Sequence, residues 1–109
     1  MRIYRIALEL VASVVKLSRK VQEHDPDLAR QMKRAVVSVP LNMQEGLYSR
    51  GGNRVARFHD AMGSAKETMA SLDVSVAAEY LPPESILDDL ERIDHIVATL
   101  WNMSGGPRR

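Results

Sequence analysis

The sequence predicts a single all-α domain in which four antiparallel amphipathic helices pack as a four-helix bundle. Three observations predict it. The 109 residues amount to about one domain. Turn-forming residues at 24–26, 50–53 and 81–83 divide the chain into four segments, and within each segment apolar residues recur at alternating steps of four and three. Because the connections between segments are short, neighbouring helices are expected to run antiparallel.

The segments begin at residues that start helices. Asp25 is placed to cap the second helix, with Pro26 at its first position. Asn53 is placed to cap the third helix after a flexible Gly pair, and Pro83 suits the first turn of the fourth. We therefore expect a bundle domain over residues 1–103, with helices at about 3–23, 27–49, 53–80 and 83–103, and a flexible C-terminal tail over 104–109.

The second helix departs from the pattern of the others. Asn42 and Gly46 occupy seam positions where Leu or Ile normally lies, and Pro40 in the helix interior removes one backbone hydrogen bond. Other positions that should face outward are apolar, and a helix that is apolar all round is usually buried all round. Burial of these outward apolar positions against another copy of the chain is the simplest explanation. The predicted interface between copies comprises Val37, Leu41 and Tyr48, with Leu8 and Val15 from the first helix.

Charge is unevenly distributed along the chain. The net charge is +1, yet residues 1–57 hold 11 Lys and Arg against 5 Asp and Glu, and residues 58–109 hold 4 against 9. This asymmetry indicates either a polyanionic partner for the basic half or charge-complementary association between copies, with ordinary solvated helix faces as the alternative. The candidate contacts to the phosphate backbone of RNA or DNA fall in two groups. Arg30, Lys33 and Arg34 lie on one outward turn of the second helix, and Arg50, Arg54 and Arg57 cluster around the second loop.

Several classes of chemistry lack a sequence signal. The chain has no cysteine, which excludes disulfides and thiolate metal sites and makes the reducing cytoplasm the expected location. The three histidines lack the spacing that places two imidazoles on one metal, and no phosphate-binding glycine motif is present. No apolar stretch is long enough to cross a bilayer. We predict no catalytic residue, metal, cofactor, membrane contact or small-molecule substrate.

A polar cluster is predicted near the end of the second helix. Glu45 and Ser38 lie along one helix edge beside Asn42, and Arg57 or Arg54 is expected to reach Glu45 from the third helix. Two interpretations are open. A satisfied polar cluster that sets helix register is favoured over a carboxylate that acts as an acid or base, because no second catalytic group accompanies it.

Residues 34–46, RAVVSVPLNMQEG, resemble the signature of the 23S rRNA intervening-sequence protein family, and residues 57–58 and 61–67 extend the resemblance. Met43 and Gln44 stand where the family usually has Ile and Ala. The positions that match the family pattern are Arg34, Ser38, Pro40, Asn42, Glu45, Gly46, Arg57, Phe58, Gly63, Ser64 and Glu67.

The resemblance implies a left-handed up-and-down bundle that assembles as a homo-oligomer, a pentameric ring. Family members are often encoded within insertions in bacterial large-subunit rRNA genes, and their biochemical role is not established. The bundle is also similar, more distantly, to the accessory protein of diversity-generating retroelements, a basic pentamer that binds nucleic acid. We therefore expect a non-enzymatic oligomer associated with RNA or DNA through helices one and two. The alternative is a protein-interaction scaffold whose partner packs on helix two.

Overall fold

The computed structural model describes residues 1–105, which form four α-helices. They are α1 (Arg2–Gln22), α2 (Pro26–Leu47), α3 (Gly51–Ala77) and α4 (Leu87–Met103), with a 3-10 helix (Pro83–Ile86) leading into α4. No strand occurs among residues 1–105, so the predicted all-α fold class is confirmed. Of the tail expected over residues 104–109, the part from 106 onwards lies outside the described residues.

The starts of α2 and α3 differ in how they are capped. Oδ1 of Asp25 accepts a hydrogen bond from the N–H of Leu28 at 3.0 Å, and a proline follows in the first turn, as expected for α2. Asn53, expected to cap α3, lies inside that helix instead. The helix starts at Gly51, whose φ of +56° costs a glycine little, and its N-cap Arg50 makes no side-chain capping hydrogen bond.

The connection between α3 and α4 begins earlier than expected. After Ala77 the chain reaches Glu79, whose φ of 64° is left-handed and stops the helix. The N–H groups of Tyr80 and Leu81 then donate to the carbonyl of Ser75, at 2.8 and 3.2 Å. These bonds satisfy the free carbonyl end of α3 and turn the chain back toward α4.

Each helix contacts both of its neighbours around the bundle. The contacting pairs are α1 with α2, α2 with α3, α3 with α4, and α4 with α1, so α2 and α4 lie diagonally opposite. An ion pair and a ring contact join a late residue of one helix to an early residue of its neighbour, as between Glu45 of α2 and Arg57 of α3 and between Trp101 of α4 and His59 of α3. Neighbouring helices that run antiparallel make contacts of this kind. The left-handed turn of the bundle stays a prediction.

The apolar seams of the four helices meet in one core. In α2 the core also takes Val36 and Met43, which flank the seam, whereas the seam residue Asn42 is only half-buried. Pro40 is buried within α2, which continues through it. Burial of these flanking residues inside one chain accounts for part of the apolar excess of α2. The part left outside consists of Val37, Leu41 and Tyr48.

The packing of α2 on α3 relies on small residues. A Cβ atom on Gly46 would lie 2.6 Å from two ring carbons of Phe58, so the ring occupies the space that a side chain there would need. On α3 the buried hydroxyls of Thr68, Ser71 and Ser75 donate to carbonyls one turn back in their own helix, at 2.8, 3.1 and 2.8 Å. Because these hydroxyls are satisfied locally, α3 presents short side chains without unpaired polar groups.

Candidate functional site

The first basic cluster lies in the first half of α2, next to α1. Lys33 and Arg34 line a shallow depression together with Val15 of α1 and Val37. Arg30, expected to join them, instead forms an ion pair with Asp27 one turn back on α2. The cluster is extended by the exposed residues of α1, namely Lys16, Arg19 and Lys20.

The second basic cluster surrounds the turn between α2 and α3. Arg50 is exposed, and the guanidinium of Arg54 lies 5.2 Å from the centroid of the Phe58 ring, a cation–π contact. Nε of Arg57 lies 3.1 Å from Oε2 of Glu45, and Nη1 of Arg57 lies 3.5 Å from Oδ2 of Asp60. Two carboxylates therefore balance the charge of Arg57, and Arg50 and Arg54 carry the positive charge of this cluster.

The six predicted phosphate contacts lie in two separate clusters along α2 and the start of α3. Arg34 and the end of α2 at Leu47 are 13 residues apart, about 20 Å along the helix at 1.5 Å per residue. The clusters consequently lie toward opposite ends of the bundle. A nucleic acid that contacts both must run along the bundle axis.

The predicted polar cluster is dispersed among separate partners. Glu45 pairs with Arg57, which is one of its two expected partners. Nδ2 of Asn42 instead donates to the carbonyl of Ser38 at 3.0 Å. The hydroxyl of Ser38 donates to the carbonyl of Arg34 at 2.8 Å. Since both partners of the Glu45 ion pair are about half exposed, that pair contributes little to stability.

Three of the motif positions meet at a groove on the α2–α3 side. Arg34, Ser38 and Glu67 line it, and its volume is about 310 Å³. Ser64, another motif position, accepts a hydrogen bond from the hydroxyl of Thr68 at its carbonyl. The side-chain hydroxyls of Ser38 and Thr68 and the amide of Asn42 bond to the backbone of their own helices.

Gly46 and Gly63 have opposite surroundings. Gly46 is closed off by Phe58, whereas a Cβ atom at Gly63 would meet no atom within 4 Å. Gly63 lies in a groove between α3 and α4 with Trp101, whose ring meets His59 edge-on with centroids 6.1 Å apart. Sequence reasoning did not single out Trp101. The spacing of Asp94, Ala98 and Trp101 could have identified it, because these residues repeat at steps of four and three outside the apolar seam of α4.

A buried carboxylate on α4 is a second feature that the sequence did not reveal. Asp89 is 1% exposed, and its Oδ2 accepts a hydrogen bond from the hydroxyl of Ser13 on α1 at 2.6 Å. Its Oδ1 accepts from Nη1 of Arg92 at 2.8 Å, and Nε of Arg92 lies 3.8 Å from Glu9. The group is fully partnered and ties α4 to α1, a structural role.

Four of the five predicted interface residues are exposed. Leu41 and Tyr48 are 59% and 86% exposed, and Leu8 and Val37 are also exposed. Val15 is half-buried and packs against the core beside the depression that it shares with Val37. The neighbouring helices α1 and α2 thus carry one apolar row on their outer side.

Within residues 1–105 no three His, Asp or Glu side chains converge as a metal site, and none of the helices is both long and apolar enough to span a bilayer. Each of the three histidines lies on a different part of the surface, with His24 stacked on Tyr80 at 5.0 Å between centroids.

Comparisons with known proteins give a family from a sequence model and a shared fold from a solved structure. The family model described as 23S rRNA-intervening sequence protein matches residues 1–102. A crystal structure from Bacteroides thetaiotaomicron, of a protein with unknown function from the S23 ribosomal protein family, superposes with a TM-score of 0.85. The two sequences are 18% identical, and the match covers 94% of this chain and 97% of the other, which shows a shared fold. The comparison with curated proteins finds no match.

Proposed function

This chain belongs to the family of 23S rRNA-intervening sequence proteins, and we propose that it is a non-enzymatic, self-associating bundle that binds the phosphate backbone of RNA or DNA. The single observation that carries the proposal is the position of its unpaired cations. Within the described residues, ion pairs occupy Arg30, Arg57 and Arg92. The cations left without a carboxylate partner are concentrated on α1, on α2 and at the turn between α2 and α3.

Unpaired cations on neighbouring helices favour a polyanion for a physical reason. A lysine or arginine already paired with a carboxylate must exchange one anion for another, so phosphate binding gains little there. Lys33 and Arg34, beside the cations of α1, form no ion pair within residues 1–105, although Glu67 of α3 lines the same groove as Arg34. Each phosphate that they neutralise releases condensed counterions, which gives affinity without base recognition.

Salt dependence tests this proposal directly. Retention of a mixed-sequence RNA and of a duplex DNA would be measured between about 50 mM and about 200 mM salt, where several phosphate contacts change affinity by orders of magnitude. We expect strong retention at low salt and a steep loss as salt rises. Absence of binding to both nucleic acids at low salt would refute the proposal.

The non-enzymatic part rests on the surroundings of Glu45. A glutamate that acts as an acid or base would need a protected site and a second catalytic side chain. The side chain of Glu45 is 58% exposed and paired with Arg57, and the amide of Asn42 bonds to the backbone of its own helix.

Self-association is supported by the apolar row on α1 and α2. Leu8, Val37 and Leu41 are large and exposed on these two neighbouring helices, which is unusual on a surface that stays in water. The family resemblance makes a pentamer the expected assembly. Sedimentation equilibrium at micromolar concentration tests it, and a monomer at every concentration would contradict this part of the proposal.

A second candidate is a protein-interaction scaffold without a nucleic-acid role. The observation that favours it is Tyr48, which is 86% exposed and continues the apolar row at the end of α2. A complex with a defined protein that survives nuclease and high salt, from a preparation that does not retain RNA, would favour this candidate.

A further inference from the structure

We propose that the end of the bundle at the α2–α3 turn binds single-stranded nucleic acid, with one base stacked on Tyr48 and the adjoining phosphates held by Arg50 and Arg54. The inference rests on the proposed binding of a nucleic-acid backbone. It adds the form of the nucleic acid, a single strand rather than a duplex, and the site at which a base is held.

The start of α1 lies at the same end of the bundle as the α2–α3 turn. Val15 of α1 and Val37 of α2 line one depression and therefore lie at a similar level. Arg5 lies ten residues before Val15, and Leu47 lies ten residues after Val37. On antiparallel helices both are displaced by about 15 Å in the same direction, so the first turns of α1 flank the turn between α2 and α3.

The lysine and arginine positions at this end of the bundle are all occupied by arginine. The end comprises residues 1–9, 41–60 and 95–105, and these ranges contain no lysine. Their arginines are Arg2, Arg5, Arg50, Arg54 and Arg57. An arginine forms two parallel hydrogen bonds to a phosphate and also stacks on aromatic faces, whereas a lysine contacts a phosphate as a point charge. The composition of this end therefore suits a ligand that offers both phosphates and bases.

The carboxylates at this end are engaged in ion pairs. They are Glu9, Glu45 and Asp60. Glu45 and Asp60 pair with Arg57, and Oε1 of Glu9 lies 3.8 Å from Nε of Arg92. The other arginines of this end form no ion pair within residues 1–105, and they give it an excess of positive charge.

Arg50 and Arg54 are better placed for a phosphate than the arginines of α1. Arg2 and Arg5 share a groove with two carboxylates of α4. Arg50 is exposed, and Arg54 lies one helix turn later with its guanidinium 5.2 Å from the centroid of the buried Phe58 ring. The ring restrains this guanidinium without using its N–H donors, so a phosphate meets a donor group whose position is already set.

Tyr48 presents an open aromatic face close to these two arginines. Its side chain is 86% exposed, and it follows the last residue of α2. Arg50 comes two residues later, which places the two Cα atoms within about 7 Å of each other. A Cβ atom on Gly51 or Gly52 would meet nothing within 4 Å, so the turn leaves room for a strand to approach both side chains.

A single strand fits this arrangement better than a duplex. Proteins that bind single strands stack bases on aromatic side chains and follow the backbone with cations. In a duplex both faces of each internal base are covered by its neighbours, so only the phosphates would be in reach. Tyr48 would then contribute nothing, and the arginines would act alone.

The surroundings of Tyr48 argue against a protein contact at this position. The nearest exposed residue of the apolar row on α2, Leu41, lies seven residues earlier, about 10 Å along the helix. Ser49 and Arg50 follow Tyr48 in the chain, and an apolar partner would have to bury that guanidinium without a carboxylate to pair with it. A nucleic acid supplies both the anion and the flat apolar face that these neighbours require.

Substitutions of Tyr48 test the proposal. Tyr48→Phe keeps the stacking face, whereas Tyr48→Leu keeps an apolar side chain and removes that face; because the position is exposed, both variants should fold. Binding of a mixed-sequence single-stranded RNA and of the duplex of the same sequence would be measured at low salt. We expect Tyr48→Leu to weaken single-strand binding by about 5- to 150-fold, the range for one lost stacked base, and to leave duplex binding unchanged. Tyr48→Phe should bind both like the unchanged protein.

A matched pair of arginine variants tests the phosphate contacts. Arg50→Gln should reduce the slope of log affinity against log salt for the single strand by roughly 0.7. Arg30→Gln makes the same change of charge at an arginine that is already paired with Asp27, and it should change the slope less. Equal slopes for the two variants would overturn the assignment of a phosphate to Arg50.

Photocross-linking locates the base directly. A single strand that carries 5-iodouracil would be irradiated with the protein, and the linked residue would be identified by mass spectrometry. We expect the link at Tyr48. Cross-links found only outside the α2–α3 turn, or equal weakening of single-strand and duplex binding by Tyr48→Leu, would overturn the site.

The remaining outcomes separate this inference from the proposed function. An unchanged single-strand affinity of Tyr48→Leu would refute the stacking site alone and leave the proposed backbone binding intact. Sedimentation of Tyr48→Leu as a smaller species than the unchanged protein would assign Tyr48 to a contact between copies and overturn the site as well. Failure of the unchanged protein to bind any nucleic acid would refute the proposed function and this inference with it.

Discussion

The ring of Phe58 occupies the space in which Gly46 would carry a side chain. A Cβ atom at position 46 would lie 2.6 Å from both Cδ1 and Cε1 of that ring, closer than carbon atoms can approach. Phe58 is fully buried, and Arg54 covers the ring from outside. The glycine therefore sets how closely α2 approaches α3 at the end of the bundle that carries the second basic cluster.

Gly46→Ala is predicted to destabilise the protein. Alanine is the better helix former by about 0.5–1 kcal/mol, whereas forcing a methyl group into a packed site costs about 1–3 kcal/mol. The clash should win because Phe58 has no free space to move into. The matched control is Gly63→Ala, where the methyl group meets nothing within 4 Å and helix propensity alone should raise stability. Urea unfolding at low protein concentration measures both, and a stabilised Gly46→Ala variant would contradict the packing argument.

Asp89→Ala is predicted to cost about 1–3 kcal/mol of the free energy of unfolding, because the substitution leaves Ser13 and Arg92 without their buried acceptor. Asp88→Ala is the control. Both residues lie in the first turn of α4, so their interactions with the helix dipole are similar, but Asp88 is exposed and its loss should change stability by less than about 0.5 kcal/mol. Equal effects of the two substitutions would show that the link between α1 and α4 contributes nothing.

Asp25→Ala is predicted to lower stability by about 1 kcal/mol through loss of the α2 cap. Asp25→Ser should restore most of the loss, since a serine hydroxyl also accepts from the N–H groups of the first turn. Thermal unfolding followed by circular dichroism measures both variants. If Asp25→Ser were as unstable as Asp25→Ala, the capping bond would not be the cause.

Lys33→Glu combined with Arg34→Glu is predicted to weaken nucleic-acid binding and to flatten its salt dependence. Losing two phosphate contacts should reduce the slope of log affinity against log salt by roughly 0.7–0.9 for each contact. Binding titrations at several salt concentrations measure the slope. Lys66→Glu compared with Lys33→Glu alone provides a control of equal charge change on the other side of the bundle. An equal loss for these two single variants would indicate a general effect of net charge rather than a defined surface.

Much of the fold was predictable because it depends on local patterns. The steps of four and three predicted which residues are buried, and Leu10, Met32, Phe58 and Leu100 are all fully buried. The cap at Asp25 was predictable because both partners lie within one turn. The start of α3 was not, because the Gly pair can join a helix or stay outside it at similar cost.

The candidate sites were less predictable because they depend on contacts between distant residues. Ser13 and Asp89 are 76 positions apart, and no periodicity links them. Glu45 and Asn42 are close in sequence, yet each finds a different partner. The division of the six predicted cations into two groups follows from their positions along the chain, whereas the ion pairs that engage Arg30 and Arg57 depend on side-chain geometry that the sequence does not give.

The amino-acid sequence by itself determined four helices, their buried faces and an excess of apolar residues on α2. It also determined the division of charge between the two halves of the chain, but only the tertiary structure decided what that division means in space. The helices meet in the order α1, α2, α3, α4 around the core. This order places Lys33 and Arg34 of α2 diagonally from α4, whereas Asp88 and Glu91 of α4 line a groove with Arg2 and Arg5 of α1. The physical reason is that a bundle brings only neighbouring helices within reach of each other's side chains.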